Sequence, residues 1–320
     1  PRLDSSAASD VYKRQGGGRD VLTALVAGAE DVDAIELNGA IIDIVSGEFV
    51  ELAGDVYNQP GVHAIASEGR SYLTRTGKRY DLIQISLIDS WAASVAGAFA
   101  LAENNLYTIE AIELFWNRLS ADGVLSISRW YHELPRLVVV MTAAAQQIGI
   151  ADPSMHLVVI AADDAGTVLF SKKPFTRDQL DRLELILNRR GFSPVHPPGR
   201  DGFSGFPFVT QLVRRGGESS TGGWFGSRAP TDDSPYFFQV VSPFAFEGLD
   251  PAQAIWLQDR GVNLQSSVTL RQTMVVVTCL AIVLFFAPFV SRVLVGSTSR
   301  SRSVVEPPLL GGGVPVSSPE

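Results

Sequence analysis

The sequence predicts an α/β fold with a doubly wound, Rossmann-like and mostly parallel sheet, followed by one transmembrane helix. Three observations lead to this class. A glycine loop at Gly16, Gly17 and Gly18 opens a helical pattern, and the apolar run after that helix ends in Glu36. Strand-like and helical patterns then alternate as far as residue 130, which is typical of a parallel sheet. Residues 273–295 form a long apolar run.

The predicted elements follow one another in a regular order. They are a helix at 21–27, a strand at 34–37, a helix at 41–52, a strand at 62–66, a short helix from 71, a strand at 80–86, a helix at 109–119, a strand at 124–128, a helix at 136–148, strands at 156–161 and 167–171, and a helix at 176–190. Thr108 is a suitable cap for the helix at 109–119, and residues 121–123 are expected to form a turn. Turn-forming residues join the last two strands, which predicts an antiparallel edge.

The chain is expected to divide into five segments. Residues 1–15 lack apolar periodicity and resemble translated sequencing-adapter sequence, so we expect a non-native or disordered leader and a sheet whose first strand is missing. The remaining segments are the nucleotide-binding domain at 16–192, a loop-rich linker at 193–272, the transmembrane helix at 273–295 and a Ser/Pro/Gly-rich disordered tail at 296–320.

The apolar run at residues 273–295 carries no charge before Arg292 and, at about 20 residues, matches the hydrocarbon core of a bilayer. The alternative is a buried helix of a soluble protein. Pro288 is tolerated in membrane helices. Basic residues are almost equally frequent on the two sides of the run, so the charges leave its orientation open.

Composition excludes several classes of partner. The chain has 320 residues and a formal net charge of -8, which argues against a nucleic-acid surface because such a surface must neutralise many phosphates. The single Cys279 excludes a disulfide framework. No metal site is indicated, because no ligand spacing relates the four histidines, which are His63, His132, His156 and His196. A small-molecule substrate and a membrane are the partners expected.

Two acidic residues follow predicted strands where a nucleoside would bind. Glu36 ends the second strand, and a carboxylate there suits the hydroxyls of a ribose. Glu68, followed by Gly69, comes after the third strand and could accept a hydrogen bond from an adenine amino group. The alternative for Glu68 is an ordinary acid in a surface turn.

The end of the fourth strand carries the candidates for chemistry. Ser86 could act as a nucleophile only with a base, and no histidine is placed for that role. Asp89 could be a general base or could hold an amine, but it could equally cap the helix that follows. The residues leave these roles of Asp89 open.

An ordered set of motifs resembles spermidine synthases and related class I S-adenosylmethionine-dependent methyltransferases. The similarity is greater to bacterial membrane proteins that fuse a spermidine-synthase-like domain to transmembrane helices, and Thr231-Asp232-Asp233-Ser234-Pro235-Tyr236 is one of the motifs typical of that group. The others include Gly16-Gly17-Gly18-Arg19-Asp20, Ile35-Glu36-Leu37-Asn38, Glu68-Gly69-Arg70, Tyr80-Asp81-Leu82-Ile83, Asp122-Gly123-Val124-Leu125 and Ser128-Arg129-Trp130.

This resemblance implies S-adenosylmethionine or its decarboxylated form as the ligand. By position, the glycine loop would line the methionine part, Glu36 would hold the ribose hydroxyls, and Glu68 with Gly69 would face the adenine. Ser86 stands where aminopropyl transferases have an aspartate that helps to deprotonate the attacking amine. Asp89 matches the second acid of that loop and could hold a cationic amine.

Three functions follow as alternatives. The first is a membrane-tethered transferase of the bacterial inner membrane with its domain in the cytoplasm, transferring a methyl or aminopropyl group. The second is a catalytically silent domain that senses a nucleotide or polyamine, which the serine at position 86 favours. The third, a nicotinamide-binding domain, ranks lowest because Val21 occupies the last glycine position of G-x-G-x-x-G.

Overall fold

The computed structural model describes residues 9–13, 18–87, 104–162, 165–196, 229–238 and 264–298. The chain divides into a unit of residues Pro1–Ser267, which contains the sheet, and a unit of residues Val268–Glu320. Asp89, Gly16 and Gly17 lie outside the described residues, and so do the greater part of the predicted linker and most of the predicted tail.

The first unit is built on one eight-stranded sheet with the strand order β3-β2-β1-β4-β5-β7-β6-β8. The strands are β1 (Ser9–Lys13), β2 (Asp31–Glu36), β3 (Val62–Ala66), β4 (Tyr80–Ser86), β5 (Leu119–Trp130), β6 (Leu157–Ala162), β7 (Ala165–Ser171) and β8 (Ser193–His196). Strands β1 to β5 pair in parallel, while β7 is antiparallel to β5 and β6. The predicted doubly wound, mostly parallel sheet is confirmed. Its strand order reverses at β1, so the ligand crevice is expected at the carboxyl ends of β1 and β4.

The expectation that the first strand is missing is wrong. Strand β1 occupies the centre of the sheet, where Tyr12 pairs with Ala34 of β2 on one side and with Gln84 of β4 on the other. A strand between two parallel neighbours is held by main-chain hydrogen bonds, so it does not need the apolar periodicity that residues 1–15 lack. The foreign origin of this leader stays a prediction.

Eight helices accompany the sheet in the described part of the chain. They are α1 (Arg19–Ala27), α2 (Gly39–Ser46), α3 (Val50–Ala53), α4 (Gly69–Arg75), α5 (Ile109–Arg118), α6 (Leu134–Ile148), α7 (Arg177–Arg190) and α8 (Leu264–Thr298). The predicted helix at 41–52 is divided into α2 and α3, because α2 ends at Gly47. Thr108 caps α5 as predicted, since its side chain accepts a hydrogen bond from the Ala111 amide.

Strand β5 begins earlier than the sequence suggests. Residues 121–123 continue the strand rather than forming a turn. The main chain passes close to β4 here, because a Cβ atom on Gly123 would lie 2.8 Å from the carbonyl oxygen of Tyr80. Strand β8 was not predicted and carries the sheet past the expected boundary at residue 192, to His196.

Apolar residues cover both faces of the sheet in two clusters. The larger cluster packs α5 and α6 against β4, β5, β6 and β7, with Phe115, Leu137 and Phe170 fully buried. The smaller cluster packs α1 and α2 against β2, around Val21 and Val32. The larger cluster therefore stabilises the β4–β7 side, and the smaller one stabilises the side that begins with the glycine loop.

The second unit contains one candidate membrane span. Within α8, the segment Arg271–Pro288 is long and apolar enough to cross a bilayer, and its side chains are exposed. The helix continues through Pro288 to Thr298. By length and composition, this agrees with the predicted apolar helix.

A buried carboxylate ties β2 to the start of β4. Asp33 is 1% exposed and accepts hydrogen bonds from Tyr72 Oη at 2.7 Å, Tyr80 Oη at 2.7 Å and Lys78 Nζ at 2.9 Å. Burial alone would raise the pKa of Asp33, but these hydrogen bonds outweigh it and hold the pKa below its usual value.

The stability of the domain is expected to fall in acid partly because of Asp33. A carboxyl whose folded pKa is depressed stabilises the fold above its unfolded pKa of 3.8, and this contribution is lost as the pH falls through the folded pKa. Urea unfolding between pH 6 and pH 3 should therefore show a smaller pH dependence in Asp33→Asn than in the wild type. The exposed acid Asp43 is the control, and equal pH slopes in Asp33→Asn and Asp43→Asn would contradict the assignment.

Candidate active site

Four of the residues predicted for the site lie at the carboxyl ends of the parallel strands, called here the carboxyl edge of the sheet. Gly18 follows β1, Glu36 ends β2, Glu68 follows β3, and Ser86 ends β4. Since the switch point lies between β2 and β4 at the same edge, these four positions surround the expected crevice.

Gly18 is required by both its conformation and its surroundings. Its φ is 78°, in the left-handed region, and a Cβ atom there would lie 2.3 Å from Val56 Cγ1. It is the N-cap residue of α1 and, as a glycine, provides no side-chain hydrogen bond to the helix. The close approach to Val56 holds the start of α1 against the short helical turn Val56–Asn58.

Replacing Gly18 by alanine should destabilise the domain more than the same change at Gly28. Both glycines have positive φ, but no atom lies within 4 Å of a Cβ built on Gly28. Gly28→Ala should cost roughly 1 kcal/mol for the conformation alone, and Gly18→Ala at least about 1 kcal/mol more for the clash. Chemical unfolding of both variants measures the difference. The added change Val56→Ala should recover part of it, and equal losses in the two single variants would contradict the clash.

Glu36 is the most deeply placed acid at this edge. Its side chain is 5% exposed, and Oε1 accepts a hydrogen bond from the Asn38 amide at 3.0 Å. Among the described residues, none donates a hydrogen bond to the second oxygen, Oε2. The buried Tyr57 reports the local potential, because burial, Glu36 and Asp20 together raise its pKa to about 12. Within the described part of the chain, Glu36 thus offers one carboxylate oxygen that accepts no hydrogen bond.

Glu68 performs the structural role that was the alternative to adenine binding. It caps α4, with Oε1 accepting from the Arg70 amide at 2.8 Å and Oε2 from the Ser71 amide at 2.6 Å. Both carboxylate oxygens of Glu68 therefore take part in the helix cap. Gly69 is buried as the first residue of α4. The adenine contact stays a prediction.

Ser86 has a polar neighbour but no base. Its Oγ accepts a hydrogen bond from Gln84 Nε2 at 3.0 Å, and Ser128 lies opposite it on β5. In the described part of the chain, no acid or histidine contacts Ser86. Leu87, which follows, has a φ of 35°, a strained value for a branched side chain. The described residues therefore supply no base that could activate Ser86 as a nucleophile.

The sequence reasoning missed an ion pair that closes this edge. Residues 229–238, called here the clasp segment, place Asp232 against Arg70, whose guanidinium donates two hydrogen bonds to it at 2.7 and 2.5 Å. Asp232 also accepts from Thr108 Oγ1 at 2.7 Å, and its amide donates to Glu110 Oε2 at 3.0 Å. The sequence motif at 231–236 includes Asp232, but no role was assigned to that residue.

A buried arginine at the end of β5 was also missed. Arg129 is 0% exposed and pairs with Glu133, with Nε and Nη2 at 2.8 and 2.6 Å from Oε2. Its guanidinium lies 5.0, 5.8 and 5.2 Å from the ring centres of Tyr107, Phe237 and Phe238. This aromatic enclosure attaches the end of the clasp segment to the sheet.

Three residues near the amino-terminal ends of β2 and β3 could hold a metal ion. The ligand atoms of Asp31, Asp33 and His63 lie within 4.8 Å of one another. The ammonium group of Lys78 already lies 3.4 Å from Asp31 and 2.9 Å from Asp33. Its positive charge satisfies both carboxylates, so the donor set fits an internal ion pair better than a cation site.

The fold and the residues at this edge define a doubly wound, Rossmann-like domain. The chain matches no family model and no curated protein. Among solved structures, it is similar to the spermidine synthase of Thermotoga maritima, with 15% identity and a TM-score of 0.40 over 65% of each chain. Over 65% of this chain and 90% of the other, it is similar to human methyltransferase-like protein 13 in complex with SAH, with 11% identity and a TM-score of 0.42.

A third similar structure is a probable spermidine synthase from Corynebacterium glutamicum, with 15% identity and a TM-score of 0.46 over 63% of this chain and 75% of that one. The similarity to the Thermotoga enzyme spans about two thirds of its length, at 65%. Activity, substrate and partners are accordingly treated as proposals.

Proposed function

We propose that the domain binds S-adenosylmethionine or its decarboxylated form and transfers a methyl or aminopropyl group to a small-molecule acceptor, with an amine as one candidate. The observation that carries this is Glu36, a buried carboxylate at the end of β2, beside the switch point, whose Oε2 accepts no hydrogen bond from the described residues. A ribose diol donates two hydrogen bonds, and an acid at the end of the second strand is placed to receive them.

The other residues of the edge fit the rest of the same ligand. Gly18, which has no side chain, is the N-cap of α1, and a polar ligand tail could approach the main chain at this helix start. Glu68 would accept a hydrogen bond from the adenine amino group in addition to those of its helix cap. The acids Asp20 and Glu36 make this edge negative, which favours a ligand with a sulfonium charge.

Methyl transfer requires less of the residues present than aminopropyl transfer does. In methyl transfer, a lone pair of the acceptor forms a bond to the methyl carbon, and the carbon–sulfur bond breaks with its electrons staying on sulfur. The protein then mainly has to align the two reactants. In aminopropyl transfer the attacking amine must also lose its proton, and a serine hydroxyl at position 86 cannot take a proton near neutral pH.

A silent sensing domain is the second candidate, and the surroundings of Ser86 favour it. The side chain is held by Gln84 and has no base among the described residues. Such a domain would bind the nucleoside and pass the signal to the apolar helix. In both proposals α8 anchors the chain to the bacterial inner membrane, with the domain on the cytoplasmic side, where the nucleoside is made.

Calorimetric titration of the full-length chain in detergent tests these proposals. S-adenosylmethionine and its decarboxylated form are each added with and without putrescine, and NAD⁺ is the comparison ligand. Binding of either sulfonium nucleoside supports the proposed ligand, and binding of NAD⁺ alone would refute it. Turnover of an acceptor identifies a transferase, while tight binding without turnover of any amine favours the sensor. A gain of aminopropyl transfer in Ser86→Asp would support the assigned geometry.

A further inference from the structure

The clasp segment connects parts of the site that are far apart in the sequence. Arg70 lies in the first turn of α4, directly after the Glu68 cap, and Asp232 lies 162 residues later. The guanidinium of Arg70 also donates to the carbonyl oxygen of Asn105 at 2.9 Å, just before α5. Three separate pieces of chain at the carboxyl edge therefore meet at one arginine.

The main chain of the clasp segment is also docked onto the start of α5. The Asn104 amide donates to the carbonyl oxygen of Pro235 at 2.9 Å, and the Ile109 amide donates to that of Pro230 at 2.9 Å. Phe237 is fully buried, and its ring centre lies 4.4 Å from that of Tyr107. The segment thus has a fixed position even though its acidic residues face solvent.

Arg70 acts at two points at once. Its amide donates to Glu68 Oε1, while its guanidinium is fixed by Asp232 and Asn105. The ion pair with Asp232 is bidentate, a geometry that fixes direction as well as distance. Because the guanidinium is held by both Asp232 and Asn105, the Arg70 side chain restrains the first turn of α4, whose amides bind the Glu68 carboxylate.

We propose that Arg70 and Asp232 are positioning residues of the nucleoside site, whose ion pair fixes the Glu68 carboxylate for contact with the adenine amino group. This rests on the proposed function, since it names the part of the ligand that the clasp segment serves. Neither residue touches the reacting atoms, so loss of the pair should weaken recognition of the base before it affects any other step.

Three variants of the full-length chain test this proposal. Asp232→Asn removes the charge, Asp232→Glu keeps it, and Asp233→Asn removes the neighbouring exposed charge as a matched control. Affinity for S-adenosylmethionine should fall at least about fivefold in Asp232→Asn, and by much less in Asp232→Glu and Asp233→Asn. A merely structural role would lower stability without changing base recognition. If the pair positions Glu68 for the base, the wild type should bind S-adenosylmethionine more tightly than an analogue whose base lacks the 6-amino group. Asp232→Asn should lose part of that preference.

Equal affinity and equal base preference in Asp232→Asn and Asp233→Asn would overturn the proposal. Hydrogen exchange without ligand separates this failure from failure of the proposed function. In Asp232→Asn, the amides of Arg70 and Ser71 should exchange faster, because the Glu68 cap that they bind becomes less fixed. If the wild type binds no sulfonium nucleoside, the proposed function fails. In that case, faster exchange of the Arg70 and Ser71 amides in Asp232→Asn still supports the inference that the ion pair positions the first turn of α4. Unchanged exchange refutes that inference.

Discussion

Arg129→Met is expected to destabilise the domain by about 3–5 kcal/mol. Methionine fills much of the same space among the aromatic rings, but it leaves the carboxylate of Glu133, which is 3% exposed, without its charged partner. Burial would then favour the neutral acid, and the apolar enclosure cannot supply the lost hydrogen bonds. Urea unfolding of the detergent-solubilised chain, followed by tryptophan fluorescence, measures the loss.

Two further variants separate the buried pair from charge in general. Arg189→Met removes an exposed arginine in the last turn of α7 and should change stability by no more than about 0.5 kcal/mol. The double variant Arg129→Met/Glu133→Leu should recover most of the loss, because it removes both buried charges. A double variant as unstable as Arg129→Met would show that packing of the guanidinium, rather than the unpaired acid, determines the effect.

Glu36→Gln is expected to weaken S-adenosylmethionine binding by about 10- to 100-fold. Hydrogen bonds to a charged group contribute about 1.5–3 kcal/mol, and a factor of ten corresponds to about 1.4 kcal/mol. The amide is isosteric with the acid, but its nitrogen cannot accept a hydrogen bond from a ribose hydroxyl. Calorimetric titration gives the ratio of dissociation constants.

The control for this change is Glu30→Gln, an exposed acid just before β2. It should leave the affinity within a factor of two, which by the same conversion is under about 0.5 kcal/mol. An analogue of S-adenosylmethionine without the ribose hydroxyls provides the second test. It should bind the wild type more weakly than the natural ligand, and Glu36→Gln should show little difference between the two. Additive losses from protein and ligand changes would assign Glu36 another role.

The fold was predictable where local patterns determine it. Apolar strands alternating with helices specify a parallel sheet, the cap Thr108 was predicted correctly, and the last two predicted strands pair as the antiparallel β6 and β7. Strand β1 was missed because Ser9–Lys13 lacks the near-continuous apolar run that is typical of a central parallel strand. Strand β8 was missed because four residues that include Pro194 carry no strand signal.

The site was only partly predictable for a different reason. Glu36 and Ser86 end β2 and β4, and Gly18 and Glu68 lie in the connections after β1 and β3, so their place at one edge follows from the order of elements. The pairing of Arg70 with Asp232 joins residues 162 positions apart, and the enclosure of Arg129 depends on rings from two other segments. Contacts at such separations leave no local pattern, so only the three-dimensional structure could identify them.

The central position of β1 has a consequence for how the domain can open. In the described sheet, β3-β2 on one side and β4 to β8 on the other share strand pairing only through the five residues of β1. Besides this narrow seam in the strand pairing, the two sides are linked by the hydrogen bond from Tyr80 to Asp33 and by the packing of Ile35 in the larger apolar cluster. A ligand held by Glu36 on one side and by the end of β4 on the other would bridge this seam. Binding would then act as a non-covalent cross-link that suppresses opening of the domain in proportion to ligand concentration.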